Sequence, residues 1–256
     1  MKPLPRWADV GLLPLINVAA AFVISGLDVL AIGENPIEAV KLLFVGALGD
    51  LEGIGFTLYY ATSFIFTGLA VAICFQAGLF NIGVDGQAYI AGLGAALVCL
   101  HLGFLPGPTL AIAAIIGAAI FGAGFAAIPG YLQAKRDSHI VITTLLSGAL
   151  AGGLAVNVIL GEEHRLILEY TAGFGFVGIA VALMGRAHPA GIVLAAILFG
   201  MLYQGGAELA FEKPKISRDM IVVIQGLVVL FAGALEHMFR RPVATLLARR
   251  TSQPPI

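Results

Sequence analysis

Apolar runs of about 20 residues recur along the whole chain, and each is long enough to cross the hydrocarbon core of a bilayer. Only structures that satisfy every backbone group internally survive in hydrocarbon, and for runs of this length that structure is the α-helix. Eight hydrophobic segments stand out, at roughly 9–31, 54–76, 84–104, 109–133, 139–160, 171–186, 190–209 and 220–239. They predict an all-α, polytopic transmembrane helical bundle, read as one transmembrane domain over residues 1–256. The sixth segment is short and glycine-rich, and the second and third nearly fuse, so eight is a number of segments rather than of crossings. Composition agrees: 59% of residues are hydrophobic and 11% charged, with a mean hydropathy of +0.99, where soluble domains carry about 25% charged residues. The basic start and apolar run of MKPLPRWADVGLLPLINVAAAFVISG lack a small-residue cleavage pattern and are read as an uncleaved first helix.

Several function classes fall away. A formal charge of -1 gives no reason to expect a nucleic-acid partner. Cys74 and Cys99 lie in apolar runs without CxxC spacing, which reads as buried thiols. His101, His139, His164, His188 and His237 have no ligand-like spacing, so neither a metal nor a cofactor is expected. No GxxxxGK[ST] phosphate loop and no Ser/His/Asp constellation occurs, so no catalytic residue is assigned.

Charge sets the orientation. With the N-terminus in the cytoplasm and alternating sides, Lys2, Arg6, Lys135, Arg136, Arg186, Arg240, Arg241, Arg249 and Arg250 fall inside. Lys41, Arg165, Lys213, Lys215 and Arg218 fall outside, the side where the acidic residues of GENPIEAVKLL, GDLEG and GEEHRLILEY also pool. The inside excess follows the positive-inside rule and puts both termini in the cytoplasm. Small-xxx-small patterns at Ala88/Gly92/Ala96, Gly148/Gly152 and Gly191/Ala195 predict close helix contacts within the bundle.

Two glycine breaks interrupt the apolar runs. AGLFNIG (77–83) and AGFGFVG (172–178) both begin Ala-Gly-apolar, and both end in an aliphatic residue followed by Gly. Glycine-interrupted segments at corresponding places in two halves point to a transporter's midplane site. An alternative stands beside this for the first break: Asn81 and Asp85 are good N-caps, and a capped turn at the cytoplasmic surface explains the polar residues without a solute.

The wider segments carry a resemblance. GLAVAICFQAGLFNIGVDGQ (68–87), AIPGYLQAKRDSHIVITT (127–144) and TAGFGFVGIAVALMGRAHPAGIVLAAILFG (171–200) occur in the order found in ABC importer permease subunits of the simple-sugar and nucleoside branch, related to branched-chain amino acid permeases. The chain resembles that family from about Gly53 to Arg241. The resemblance implies a permease subunit that forms a translocation path in the cytoplasmic (inner) membrane, amid membrane lipid. It implies three partners: a cytoplasmic ABC ATPase, a second permease subunit and an extracytoplasmic solute-binding protein. ATP hydrolysis belongs to the ATPase, so this chain is no enzyme. Within the resemblance, Asn81, Asp85 and Gln87 offer donors and acceptors to a hydroxylated or heterocyclic solute, and Phe80, Phe174 and Phe176 offer stacking faces. The inside loops bearing Lys135, Arg136, Arg186 and His188 are candidates to face the ATPase, and positive-inside anchoring explains them equally.

One departure stands out. In the family, the stretch resembling VITT is followed by further helices and a cytoplasmic loop before a stretch resembling SGALAGGLAV. Here Thr143-Thr144-Leu145-Leu146 runs directly into Ser147-Gly148-Ala149-Leu150. An internal deletion near 145–147 is implied, and it takes with it the region that docks on the ATPase. The alternative function is therefore a shortened, transport-inactive membrane protein that keeps permease-like ends without coupling.

Overall fold

The computed structural model describes residues 12–133 and 139–231. Lys2, Arg6, Lys135, Arg136, Glu236, His237, Arg240, Arg241, Arg249 and Arg250 lie outside the described residues. The helices are α1 (Leu13–Ala31), α2 (Pro36–Leu48), α3 (Leu51–Gln76), α4 (Val84–His101), α5 (Gly107–Gln133), α6 (His139–Val158), α7 (Phe174–Met184), α8 (Pro189–Glu212) and α9 (Arg218–Val229), with a π-helical turn at Ile159–Glu163 after α6. Each of the eight apolar segments carries a helix. Among the described residues, five helices are long and apolar enough to cross a membrane: α1, α3, α5, α8 and the stretch Thr143–Glu163, which holds most of α6. The sixth segment yields only α7, an apolar helix of 11 residues.

The sequence reading missed α2, because Glu38 and Lys41 break its apolar run. Its start is nonetheless well marked: Pro36 occupies the first turn, and Asn35 Oδ1 accepts from the N–H groups of Ile37 (3.0 Å) and Glu38 (3.5 Å).

The chain divides into two compact units, Met1–Gly49 with Gly205–Ile256, and Asp50–Gln204. In the first, α1 buries every fourth residue: Leu13, Asn17, Ala21, Ser25 and Val29. Val29 joins Ala39, Leu209, Ile216 and Ile221 in a buried cluster. Beside it, Lys213 Nζ lies 3.1 Å from Glu38 and 3.7 Å from Glu34, and Lys215 Nζ lies 3.4 Å from Glu34. The hydrogen bond to Glu38, with the charge of Glu34 nearby, holds the Lys213 ammonium above its usual range. A raised folded-state pKa means that the ion pairs stabilise the fold fully below the unperturbed value of 10.5 and are lost as pH climbs through the raised value. Melting curves of the wild type and Lys213→Met are expected to differ by a small, constant amount around neutral pH and to converge in strong alkali. A difference that widens with alkalinity would contradict this assignment.

In the second unit, α4, α5 and α6 form an antiparallel stack that approaches to backbone contact. A Cβ on Gly122 of α5 would run into the Gly148 carbonyl of α6, and one on Gly152 would lie 3.1 Å from the Ala118 backbone. Small residues permit this approach. α6 also runs antiparallel to α3: Asn157 Nδ2 donates to Tyr59 O (3.0 Å) and Ser63 Oγ (2.8 Å), while Ser147 Oγ donates to Ala70 O (2.8 Å). The helix passes through the Leu146–Ser147 junction without interruption.

A re-entrant candidate site at the meeting of two helix breaks

The first break begins where α3 stops. Gly78, at φ +74°, takes the left-handed conformation that glycine adopts without steric cost. Its N–H bonds to Phe75 O (3.0 Å) and the Leu79 N–H to Cys74 O (2.8 Å), the paired bonds of a glycine-terminated helix. The chain then folds back along α3. Asn81 Nδ2 donates to Ser147 Oγ (2.8 Å), and that hydroxyl donates to Ala70 O. Ala70 lies six residues inside the end of α3, about 9 Å at 1.5 Å per residue. Asn81 Oδ1 accepts from the Gly83 N–H (2.9 Å), and the Asn81 and Gln87 amides exchange a reciprocal pair of bonds at 3.1 and 3.3 Å. Gln87 is only 1% exposed. The N-cap expectation is not met: Gly83 occupies that position of α4 without a side-chain cap bond, Asp85 lies inside the helix, and Asn81 makes a turn bond instead, while Phe80, Ile82 and Gly83 of the turn are exposed.

The second break meets the first. Gly173, at φ +77°, caps the N-terminus of α7. The two Ala-Gly pairs therefore share a left-handed glycine but differ in role, one closing a helix and the other opening one. Asp85, the second residue of α4, joins them. Its Oδ1 accepts from the Gly175 N–H (3.0 Å) and its Oδ2 from Thr171 Oγ1 (3.1 Å). The approach is so close that a Cβ on Gly175 would lie 2.5 Å from Asp85 Cα. Tyr170, next in line, donates its hydroxyl to Ala88 O and stacks on Tyr89 with centroids 5.6 Å apart.

The depth of this meeting follows from α3. Phe64 is at the midpoint of α3, and its ring centroid is 5.1 Å from that of Phe174, the first residue of α7. One turn on, Gly178 abuts Thr67. The N-termini of α4 and α7 therefore lie about half-way along a helix long enough to cross a bilayer. Further along, Gln76 Nε2 donates to Ala187 O (3.0 Å), which puts the α7–α8 turn at the end of α3. Arg186 and His188 are exposed in that turn, where Arg186 and Ala187 both have positive φ, 53° and 51°.

Asn81, Asp85 and Gln87 are thus gathered at one break, with Asn81 and Gln87 in direct contact and Asp85 held by the other break. The three phenylalanines have different settings. Phe80 and Phe176 are more than half exposed, Phe80 with its ring 5.4 Å from Phe75. Phe174 is 5% exposed, enclosed by Tyr60, Phe64 and Tyr203 at 6.0, 5.1 and 5.3 Å, and has no open face to stack on. Sequence reading did not single out Ser147, Thr171 or Tyr170. Thr171 opens the second quoted segment and Ser147 sits at the implied junction, so both were on view. Their partners, 86 and 66 residues away, were not.

Comparison with known proteins places this arrangement. Residues 137–233 match the family described as the branched-chain amino acid transport system permease component. Over 99% of its length the chain is 24% identical to the glucose ABC transporter permease of Haloferax volcanii, covering 95% of that protein. The chain is thus similar to permease subunits of sugar and nucleoside ABC transporters. It is 36% identical over 135 residues to the nucleoside ABC transporter permease of Lactococcus lactis, which takes in 53% of this chain and 37% of the relative. It is 35% identical over 144 residues to the guanosine ABC transporter permease of Bacillus subtilis, taking in 55% and 40%. In these two matches the chain spans less than half the length of its relative. The Haloferax alignment extends over 365 positions against 256 residues here, so more than a hundred positions of that permease have no counterpart. No solved structure matches the chain. As a permease it is a non-enzymatic, multi-pass membrane subunit, with ATP hydrolysis on a separate subunit.

Proposed function

We propose that this permease subunit serves an ABC importer and lines the translocation path for a nucleoside or simple sugar. The observation that carries the reading is the meeting of the α4 and α7 N-termini half-way along α3, with Asp85 between them and Asn81 and Gln87 alongside. Interrupted helices at mid-depth are how transporters bring polar groups to a solute. Irregular backbone there is tolerated only inside protein or beside a water-filled cavity. The glucose, nucleoside and guanosine permeases among its relatives support an uncharged, hydroxylated solute. The partners are a cytoplasmic ATPase, a second permease subunit and an extracytoplasmic binding protein. Both termini face the cytoplasm of the inner membrane. The Gln76–Ala187 bond supports this orientation, because it puts Arg186 on the side where α3 ends, which is inside in the charge-based topology. Arg186 and His188 then face the ATPase. The test is uptake of labelled nucleosides and sugars in cells with and without the subunit. Uptake is expected to require it and to fall at least about tenfold in Asp85→Ala and Asn81→Ala at normal membrane abundance. Unchanged uptake without the subunit, partners present, would sink the reading.

One observation favours a second reading, a shortened subunit that transports nothing: the Haloferax alignment leaves more than a hundred positions unmatched. Co-purification decides between them. Recovery of the ATPase with this chain supports transport. Loss of the ATPase, under conditions that hold a full-length permease complex together, supports the uncoupled form.

A further inference from the structure

The breaks solve an electrostatic problem in an unusual place. Each helix N-terminus carries roughly half a positive charge on unpaired N–H groups, and at mid-depth no bulk water screens it. Two such ends pointing at one spot would attract an anion, as helix N-termini commonly do. Here that spot is already taken by a group of the chain itself. Asp85 is the second residue of α4 and Gly175 the second of α7, so the carboxylate sits in the first turn of both helices. Its oxygens are held by the Gly175 N–H at 3.0 Å and the Thr171 hydroxyl at 3.1 Å, with Thr171 3% exposed. One negative charge balances two half-charges, and two donors that would greet a solute anion, the Gly175 N–H and the Thr171 hydroxyl, are engaged.

We infer that Asp85 sets the charge selectivity of the path: its carboxylate occupies the anion-attracting position between α4 and α7, so neutral hydroxylated solutes are admitted and anionic ones are rejected. This rests on the proposed function and deepens it by naming the residue that excludes charge. The amides of Asn81 and Gln87, both donor and acceptor, suit an uncharged solute with hydroxyl or amide edges.

The test uses matched solutes that differ by one carboxylate: glucose against glucuronate, and uridine against uridine-5′-carboxylate. Binding to the purified full-length chain in detergent is read by ligand-observed NMR, which bypasses the selectivity of any binding protein. Asp85→Asn removes the charge yet keeps an oxygen to accept from Gly175 and an amide to donate to the Thr171 hydroxyl. The wild type is expected to bind the neutral member of each pair at least about tenfold more tightly than the carboxylate. Asp85→Asn should erase or reverse that preference, and Asp85→Glu should keep it. Equal binding of glucose and glucuronate by the wild type overturns the inference, whether or not the variant folds. An unchanged preference in a folded Asp85→Asn protein also overturns it and leaves the permease reading standing. A wild type that binds neither neutral solute removes the solute path itself, and this inference with it.

Discussion

Gly175→Val is expected to abolish solute uptake, with more than a tenfold loss, while the protein still reaches the membrane. Any Cβ at this position meets the Asp85 backbone, with Asp85 Cα only 2.5 Å away, and backbone cannot rotate aside as a side chain would. The N-termini of α4 and α7 must part. Overpacking costs about 1–3 kcal/mol, and loss of a hydrogen bond to a charged acceptor costs a further 1.5–3 kcal/mol or so. The sum is of the order of 2.5–6 kcal/mol, which reaches the lower end of a whole domain's stability. The damage is confined to one helix junction, so local separation is expected before global unfolding. Uptake and membrane abundance, measured on the same cells, separate the two effects. Normal uptake by Gly175→Val would mean that the junction does not govern the path.

The second large effect concerns folding rather than transport. Gly122→Leu pushes a side chain into the Gly148 carbonyl and should sharply reduce membrane accumulation and melting temperature. Gly124→Leu, two residues along the same helix, adds its side chain where no atom lies within 4 Å and should be close to silent. The pair shares composition, helix and substitution, so propensity cancels and only the packing differs. Equal behaviour of the two variants would show that the α5–α6 contact contributes little.

These positions mark what the sequence could and could not reveal. The apolar runs located eight of the helices, because a bilayer imposes length and composition on anything that crosses it. α2 escaped because two charges hid its apolar residues, although Asn35-Pro36 is a good helix start. The breaks were legible as glycines among apolar residues. That they meet was not: the Asp85–Gly175 bond spans 90 residues of chain, and no local periodicity encodes such a partner. Phe174 shows the same limit. Its aromatic ring suited a solute equally well, but which way it faces depends on Tyr60, Phe64 and Tyr203, on two other helices.

The unbroken course of α6 bears on how a permease of this kind tolerates shortening. The resemblance sets VITT and SGALAGGLAV apart in longer relatives, with further helices and a cytoplasmic loop between them. Each α-helical end leaves about four backbone groups unpaired, and in hydrocarbon each such group is costly. Fusing the end of one helix to the start of another turns those orphans into ordinary rungs of a single ladder. It also keeps Gly148 and Gly152 on the face that meets α5 and leaves Ser147 facing Ala70. A deletion that joins helix to helix in rotational phase is thus a change the bilayer itself accepts. One that left a loop at the same depth would have exposed unpaired amides to lipid.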